Sequence, residues 1–178
     1  QFAFRLAETP LLLSDDLRDR CLRAAREIVA LMRAPETIAR CADRIPPRFR
    51  VPGTDALPHM AVVDLAIVRD ERGDLAPRLI ECQAFPSLYG MQVVMADAWG
   101  EALAAMPGMP PGWSVYGTDG GGVPLDRASY LDLLRRTVVG DGDPIETILL
   151  DIDPASQKTR PDFVATRRLL GVREVCVT

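Results

Sequence analysis

Two apolar runs flank a charged turn near the middle of the chain. Met60-Ala61-Val62-Val63-Asp64-Leu65-Ala66-Ile67-Val68 and Leu75-Ala76-Pro77-Arg78-Leu79-Ile80-Glu81-Cys82-Gln83 enclose Arg69-Asp70-Glu71-Arg72-Gly73-Asp74. Apolar runs of this length around a glycine-containing turn predict a β-hairpin. Folding it symmetrically about the turn sets Asp64 opposite Glu81, and Gln83, two residues on, falls on that same face. A slip of one residue would turn Asp64 to the other side.

Elsewhere the pattern is mostly helical. Ser14-Asp15-Asp16 is a helix start, followed by Leu17, Leu22, Ala25, Ile28, Val29 and Met32 at helical spacing up to Pro35. A short helix is expected from Glu36 to Asp43. Residues 45–59 hold four prolines and a glycine and predict a loop. Tyr89 to Met106 predicts a helix whose packed side carries Met91, Val94, Met95, Ala98, Trp99 and Leu103, a stripe read as core. The proline- and glycine-rich run Met106 to Gly112 stops it and is the expected hinge.

Trp113 to Tyr116 is expected to be a short strand. Gly120-Gly121-Gly122 then leads into a helix from Leu125 to Val139. Three glycines before a helix can cradle an anion, but Asp119 would repel a phosphate and no Gly-Lys-Ser/Thr follows, so the run reads as a connector. From Ile145 the pattern is strand, loop, helix, strand. Ile148-Leu149-Leu150 with Ile152, Arg160 to Leu170 closed by Gly171, and Val175 to Thr178 predict a βαβ unit with parallel strands and a right-handed crossover.

The expected fold class is therefore α/β, with an antiparallel β-hairpin layer and helices over residues 1–106 and a Rossmann-like βαβ lobe over 113–178. The chain begins at Gln1 and finishes in a β-like run, which reads as part of a longer protein whose second lobe continues past Thr178.

At 178 residues with 48% apolar content the chain can bury a real core. A net charge of −4 and a pI near 5.1 argue against a nucleic-acid backbone as partner. No apolar run approaches the roughly 20 residues that cross a bilayer, and the N-terminus lacks the layout of a secretory signal. Cys21, Cys41, Cys82 and Cys176 are too scattered for a zinc site or a disulfide framework, and reduced, cytoplasmic thiols are expected. His59, the single histidine, has no partner for zinc chemistry.

Candidate chemistry falls in two places. Opposed carboxylates on strands repel unless a cation or proton lies between them, so Asp64, Glu81 and Gln83 form a candidate Mg²⁺ site built of oxygen donors. The second place is the carboxyl end of the strand at Ile148, where α/β folds bind ligands. Gln157, Lys158 and Arg160 fall there. Lys158 is the one lysine among 21 basic residues, a compact point charge beside a helix N-terminus, and a small anionic or carboxylate group is its natural partner.

From Asp64 to Tyr89 the chain resembles ATP-grasp enzymes, whose signature is Arg-x-Asp, a hairpin, then an apolar pair leading into Glu-x-Asn. The matching residues are Asp64 and Leu79-Ile80-Glu81-Cys82-Gln83. The early position of the motif is similar to the circularly permuted glutathione synthetase and glutathionylspermidine synthetase type, and to bacterial proteins known only as containing an ATP-grasp domain. Val62 stands where the signature has arginine, and Gln83 where it has asparagine.

The resemblance implies that Asp64, Glu81 and Gln83 hold Mg²⁺ against ATP, with Ser87 in a substrate-facing loop and Gln157, Lys158 and Arg160 on substrate. It implies an ATP-dependent carboxylate–amine or carboxylate–thiol ligase acting through an acyl phosphate. Mg²⁺ and ATP are expected only with a nucleotide-binding half outside this chain, so the fragment alone would be inactive. Two alternatives stand beside it: a non-catalytic module, derived from an ATP-grasp lobe, that binds a small anion or mediates assembly, and an unrelated compact Rossmann-like domain.

Overall fold

The computed structural model describes residues 5–53, 57–83, 87–109 and 114–178. Among the described residues there are five α-helices and four strands: α1 (Asp15–Arg33), α2 (Pro35–Ala42), β1 (Val62–Arg69), β2 (Leu75–Gln83), α3 (Tyr89–Ala104), α4 (Arg127–Val138), β3 (Ile148–Asp151), α5 (Arg160–Leu170) and β4 (Arg173–Cys176). The fold is mixed α/β. It separates into two compact units, one of Ala7–Pro86 and one built on Ser87–Thr178.

In the first unit, Ser14 caps α1 by accepting from the Leu17 amide at 3.3 Å, with Asp15 and Asp16 in the first turn and Arg33 in the last. Each charge lies at the end of the helix dipole that favours it. Pro35 ends α1 and starts α2, because proline suits a first helical turn but not an interior. Helix α1 packs on β2 and buries Leu17.

The hairpin β1–β2 is antiparallel. Its turn is organised by Asp70, whose side chain accepts from the amides of Arg72 (2.9 Å) and Asp74 (3.0 Å), while Gly73 takes the left-handed φ of +84° that the reversal needs.

The second unit is held by α3 against α5. Gly90 is a point of close approach: a Cβ there would lie 2.8 Å from the Thr166 amide nitrogen and 2.9 Å from its Cα. Leu88, in the capping position of α3, is left-handed and offers no side-chain cap. Asp162 supplies one from α5 instead, its buried carboxylate accepting from the Met91 amide at 2.8 Å.

Helix α4 is joined to α3 through Asp97, which accepts from the Tyr116 hydroxyl (2.9 Å) and from Arg127 Nε (3.0 Å). Desolvation, reinforced by the Asp97 carboxylate, pushes the Tyr116 hydroxyl up to about 12. Strands β3 and β4 pair in parallel on either side of α5 in the sequence, and Gly171 ends α5 with φ +77°. The βαβ order expected of this region is present.

Three expectations are corrected. The units part between Pro86 and Ser87, not near residues 106–112, because α3 packs on α5 and so belongs with the βαβ region. Residues 114–116 form no strand, and Trp113 lies outside the described residues. A single bridge, Thr118 to Pro124, closes the following turn.

The buried side of α3 carries Met91, Val93, Ala96 and Leu103, whereas Val94 is 51% exposed and Ala98 is exposed. That helix is apolar nearly all round, so periodicity could not select a face. The glycine run at 120–122 is a closed turn: the Asp119 carboxylate accepts from the Gly121 and Val123 amides, both at 2.8 Å, and itself takes the place an anion would occupy.

Candidate metal and substrate sites

The hairpin brings its three predicted residues together. Asp64 pairs with Glu81, and Val62 with Gln83, across the β1–β2 ladder. From the turn end the register runs Arg69 to Leu75 through Leu65 to Leu79; continued evenly, it would set Asp64 against Ile80. A bulge intervenes, leaving Ile80 as the extra residue, 65% exposed, and the ladder resumes at Asp64 and Glu81. Symmetric folding of the sequence therefore reached the right pair without foreseeing the irregularity that produces it.

Gln83 Nε2 donates to Glu81 Oε1 at 2.5 Å and reaches Asp64 Oδ2 at 3.5 Å. The amide nitrogen sits where its partial positive charge relieves the repulsion between two carboxylates. A half-turn of the same amide would present Oε1 instead, since the two ends of a glutamine amide are nearly equal in shape and opposite in hydrogen-bonding sense. The group is thus two carboxylates with one amide that can donate to them or join them as an oxygen donor. Such a hard-oxygen set suits Mg²⁺, which takes few protein ligands and keeps several waters. Among the described residues no cluster of three or more acidic, histidine or cysteine side chains forms, so a metal here would rely on the amide as its third protein donor. Cys82 points to the opposite face, as its place in the ladder requires.

The second group lies wholly in the unit built on Ser87–Thr178. Gln157, Lys158 and Arg160 line one cavity of about 590 Å³, bounded by α3, α5 and the loop after β3. The loop's shape is held by its own polar atoms. Gln157 Nε2 donates to the Ile152 carbonyl (2.8 Å), Ser156 Oγ donates to the Asp153 carbonyl (3.1 Å), and Asp153 turns the chain with φ +46°. Gln157 therefore keeps its amide oxygen and its second N–H for a ligand. Ser87 is exposed, just ahead of α3, and is not part of this cavity wall. Residues 84–86, which precede Ser87 in the loop that the resemblance sets facing substrate, lie outside the described residues.

Sequence reasoning missed part of this wall. Arg168 lines the cavity, as do Met91, Val94, Met95 and Val164. One signal was available: Arg160, Val164 and Arg168 are spaced i, i+4, i+8 along α5, a single stripe of a helix. The α3 residues gave no comparable signal, since Met91, Val94 and Met95 read as ordinary core.

The four cysteines are free, and no described helix is long and apolar enough to cross a membrane. No protein-family model, curated protein or solved structure matches the chain. The class established is a mixed α/β protein carrying a bulged antiparallel hairpin in one unit and a parallel βαβ element in the other.

Proposed function

We propose that this chain is the N-terminal, metal- and substrate-binding portion of an ATP-grasp-type carboxylate–amine or carboxylate–thiol ligase. The observation that carries the reading is the convergence of Asp64, Glu81 and Gln83 on one face of the bulged hairpin, with the amide of Gln83 within reach of both carboxylates. Paired acids on adjacent strands cost stability in the absence of a compensating charge, so an arrangement that keeps them together implies a cation partner. Mg²⁺ bound there would neutralise charge on a phosphoryl group being transferred to a substrate carboxylate. Asp64 and Glu81 would hold it, and Gln83 would turn its oxygen inward. Gln157, Lys158 and Arg160 would bind the anionic end of the substrate. Ser87 stays in the proposal as a substrate contact only through the resemblance.

A second reading is a non-catalytic module that binds a small anion or mediates assembly. It is favoured by the present orientation of Gln83, whose amide nitrogen already compensates the carboxylates without a cation, and by Val62 in place of the signature arginine.

Thermal unfolding of the full-length protein with Mg²⁺ and ATP, beside Glu81→Ala, separates the two. Ligand at a hundred times its dissociation constant adds about 2.7 kcal/mol to the folded state. For 150–250 residues that raises the melting temperature by roughly 5–10 °C, and by less for a longer chain. The ligase reading expects that rise in the native protein and its loss in Glu81→Ala; no rise in either leaves the binding module.

A further inference from the structure

The cavity between α3, α5 and the β3 loop has two chemically distinct walls. One is cationic: Lys158 from the loop and Arg160 and Arg168 from α5. Neither Lys158 nor Arg168 has a carboxylate within ion-pair distance among the described residues, and Arg160 reaches Glu174 only at 3.7 Å. Among the described residues no aspartate or glutamate lines the space. The other wall is apolar, formed by Met91, Val94 and Met95 of α3, and Val164 carries the apolar surface onto α5 between the two arginines. Val94 is half exposed in the middle of a helix whose neighbours Val93 and Ala96 are buried.

Two cations without counter-charges, Lys158 and Arg168, and a third, Arg160, held by Glu174 only at 3.7 Å, all facing methionine and branched aliphatic side chains, do not suit a small polyanion alone. A phosphate or dicarboxylate would satisfy the charges and leave the apolar wall wet. They suit a molecule that is anionic at one end and apolar along its length. The volume falls within the range of about 300–1,000 Å³ typical of small-molecule sites, and methionines adapt to chains of differing shape.

We infer that this cavity binds a medium-chain monocarboxylic acid, its carboxylate toward Lys158, Arg160 and Arg168 and its hydrocarbon chain along Met91, Val94 and Met95. The inference rests on the reading that Gln157, Lys158 and Arg160 face substrate, and adds to it the substrate's apolar body and Arg168 as a further anchor. Gln157 also lines the cavity, and its bond to the Ile152 carbonyl holds the loop that carries Lys158. Binding itself needs neither nucleotide nor metal.

The test is isothermal titration of the full-length protein, without ATP or Mg²⁺, with butyrate, hexanoate, octanoate, octylammonium and inorganic phosphate. Saturable binding is expected to tighten about fourfold per methylene from butyrate to octanoate, with octylammonium and phosphate at least tenfold weaker than octanoate. The double variant K158Q/R168Q is expected to weaken octanoate at least tenfold. V94E, which puts a negative charge on an exposed position of the apolar wall, is expected to weaken it similarly. Both variants alter exposed positions, and an unchanged melting temperature confirms that they fold. Octylammonium as tight as octanoate, phosphate as tight as octanoate, no dependence on chain length, or octanoate binding indifferent to both variants would each overturn the assignment. Failure of the ligase reading is separately visible: E81A lies in the other unit and is expected to leave octanoate binding unchanged, so octanoate can bind where Mg²⁺ and ATP have no effect, and the reverse.

Discussion

Gly90 illustrates how little room a single residue can have. Its missing Cβ is what lets α3 meet α5, and the obstruction is Thr166 backbone as well as side chain. Gly90→Ala is expected to cost about 1–3 kcal/mol by overpacking, read as a lower midpoint in urea. Removing the threonine side chain in Gly90→Ala/Thr166→Ala should recover only part of it, because the backbone atoms remain. Full recovery would mean that the two helices slide apart freely. Asp162 acts at the same contact in the opposite sense, by supplying from α5 the acceptor that α3 lacks at its own N-terminus. Neither role could be read from the sequence, where Gly90 lies inside a helical pattern and Asp162 is one acid in the first turn of another helix.

At the level of elements, caps were legible and faces were not. Ser14 before Asp15-Asp16, and Gly171 after Leu170, mark their helix ends through local hydrogen bonding and backbone conformation, which neighbouring residues suffice to determine. The sequence pattern starts α4 near Leu125, close to the Asp126 cap that begins it. Asp126 accepts from the Ser129 amide and hydroxyl, and these bonds hold its carboxyl below the usual 3.8. A depressed folded-state value means that its stabilisation is complete above the ordinary carboxylate range and is lost as pH falls through the folded value. The stability gap between the native protein and Asp126→Ala is therefore expected to be constant above about pH 5 and to close on acidification below it. A pH series of urea unfolding would check this, and a gap that persists at pH 2 would assign the cap's effect to something other than the carboxylate.

The hairpin shows the same division. Both strands and the Asp64–Glu81 pairing were legible from two apolar runs and a turn. The bulge at Ile80 was not, because the extra residue sits in an apolar stretch where one more isoleucine changes no pattern. The Mg²⁺ and ATP titration with Glu81→Ala belongs to this element, since it asks whether the paired acids form a ligand site or are satisfied by Gln83.

For the molecule as a whole, exposed apolar strand surface is the main physical consequence. Ile148 and Leu150, alternate residues of β3, are 43% and 57% exposed, and among the described residues the β3–β4 sheet has two strands. Parallel sheets ordinarily have both faces covered, so this open face is the surface expected to make the chain associate at high concentration. Ile148→Thr with Leu150→Thr is expected to lower the weight-average mass seen by sedimentation at high concentration. Each change should shift stability by no more than about 0.5 kcal/mol, as is usual at exposed sites. Unchanged association would exonerate this face.

What the sequence by itself determined is what local chemistry governs: helix ends, the hairpin and its turn, the order β3–α5–β4, and which polar residues share a strand face or a loop. Only the tertiary structure decided which side of α3 is buried, that α3 belongs with α5, and that Arg168 and the α3 methionines join Lys158 and Arg160 around one cavity. The reason is physical. Caps and turns are satisfied by residues a few positions away, whereas a helix apolar on all sides can turn any face inward, and its neighbour across the packing contact makes the choice.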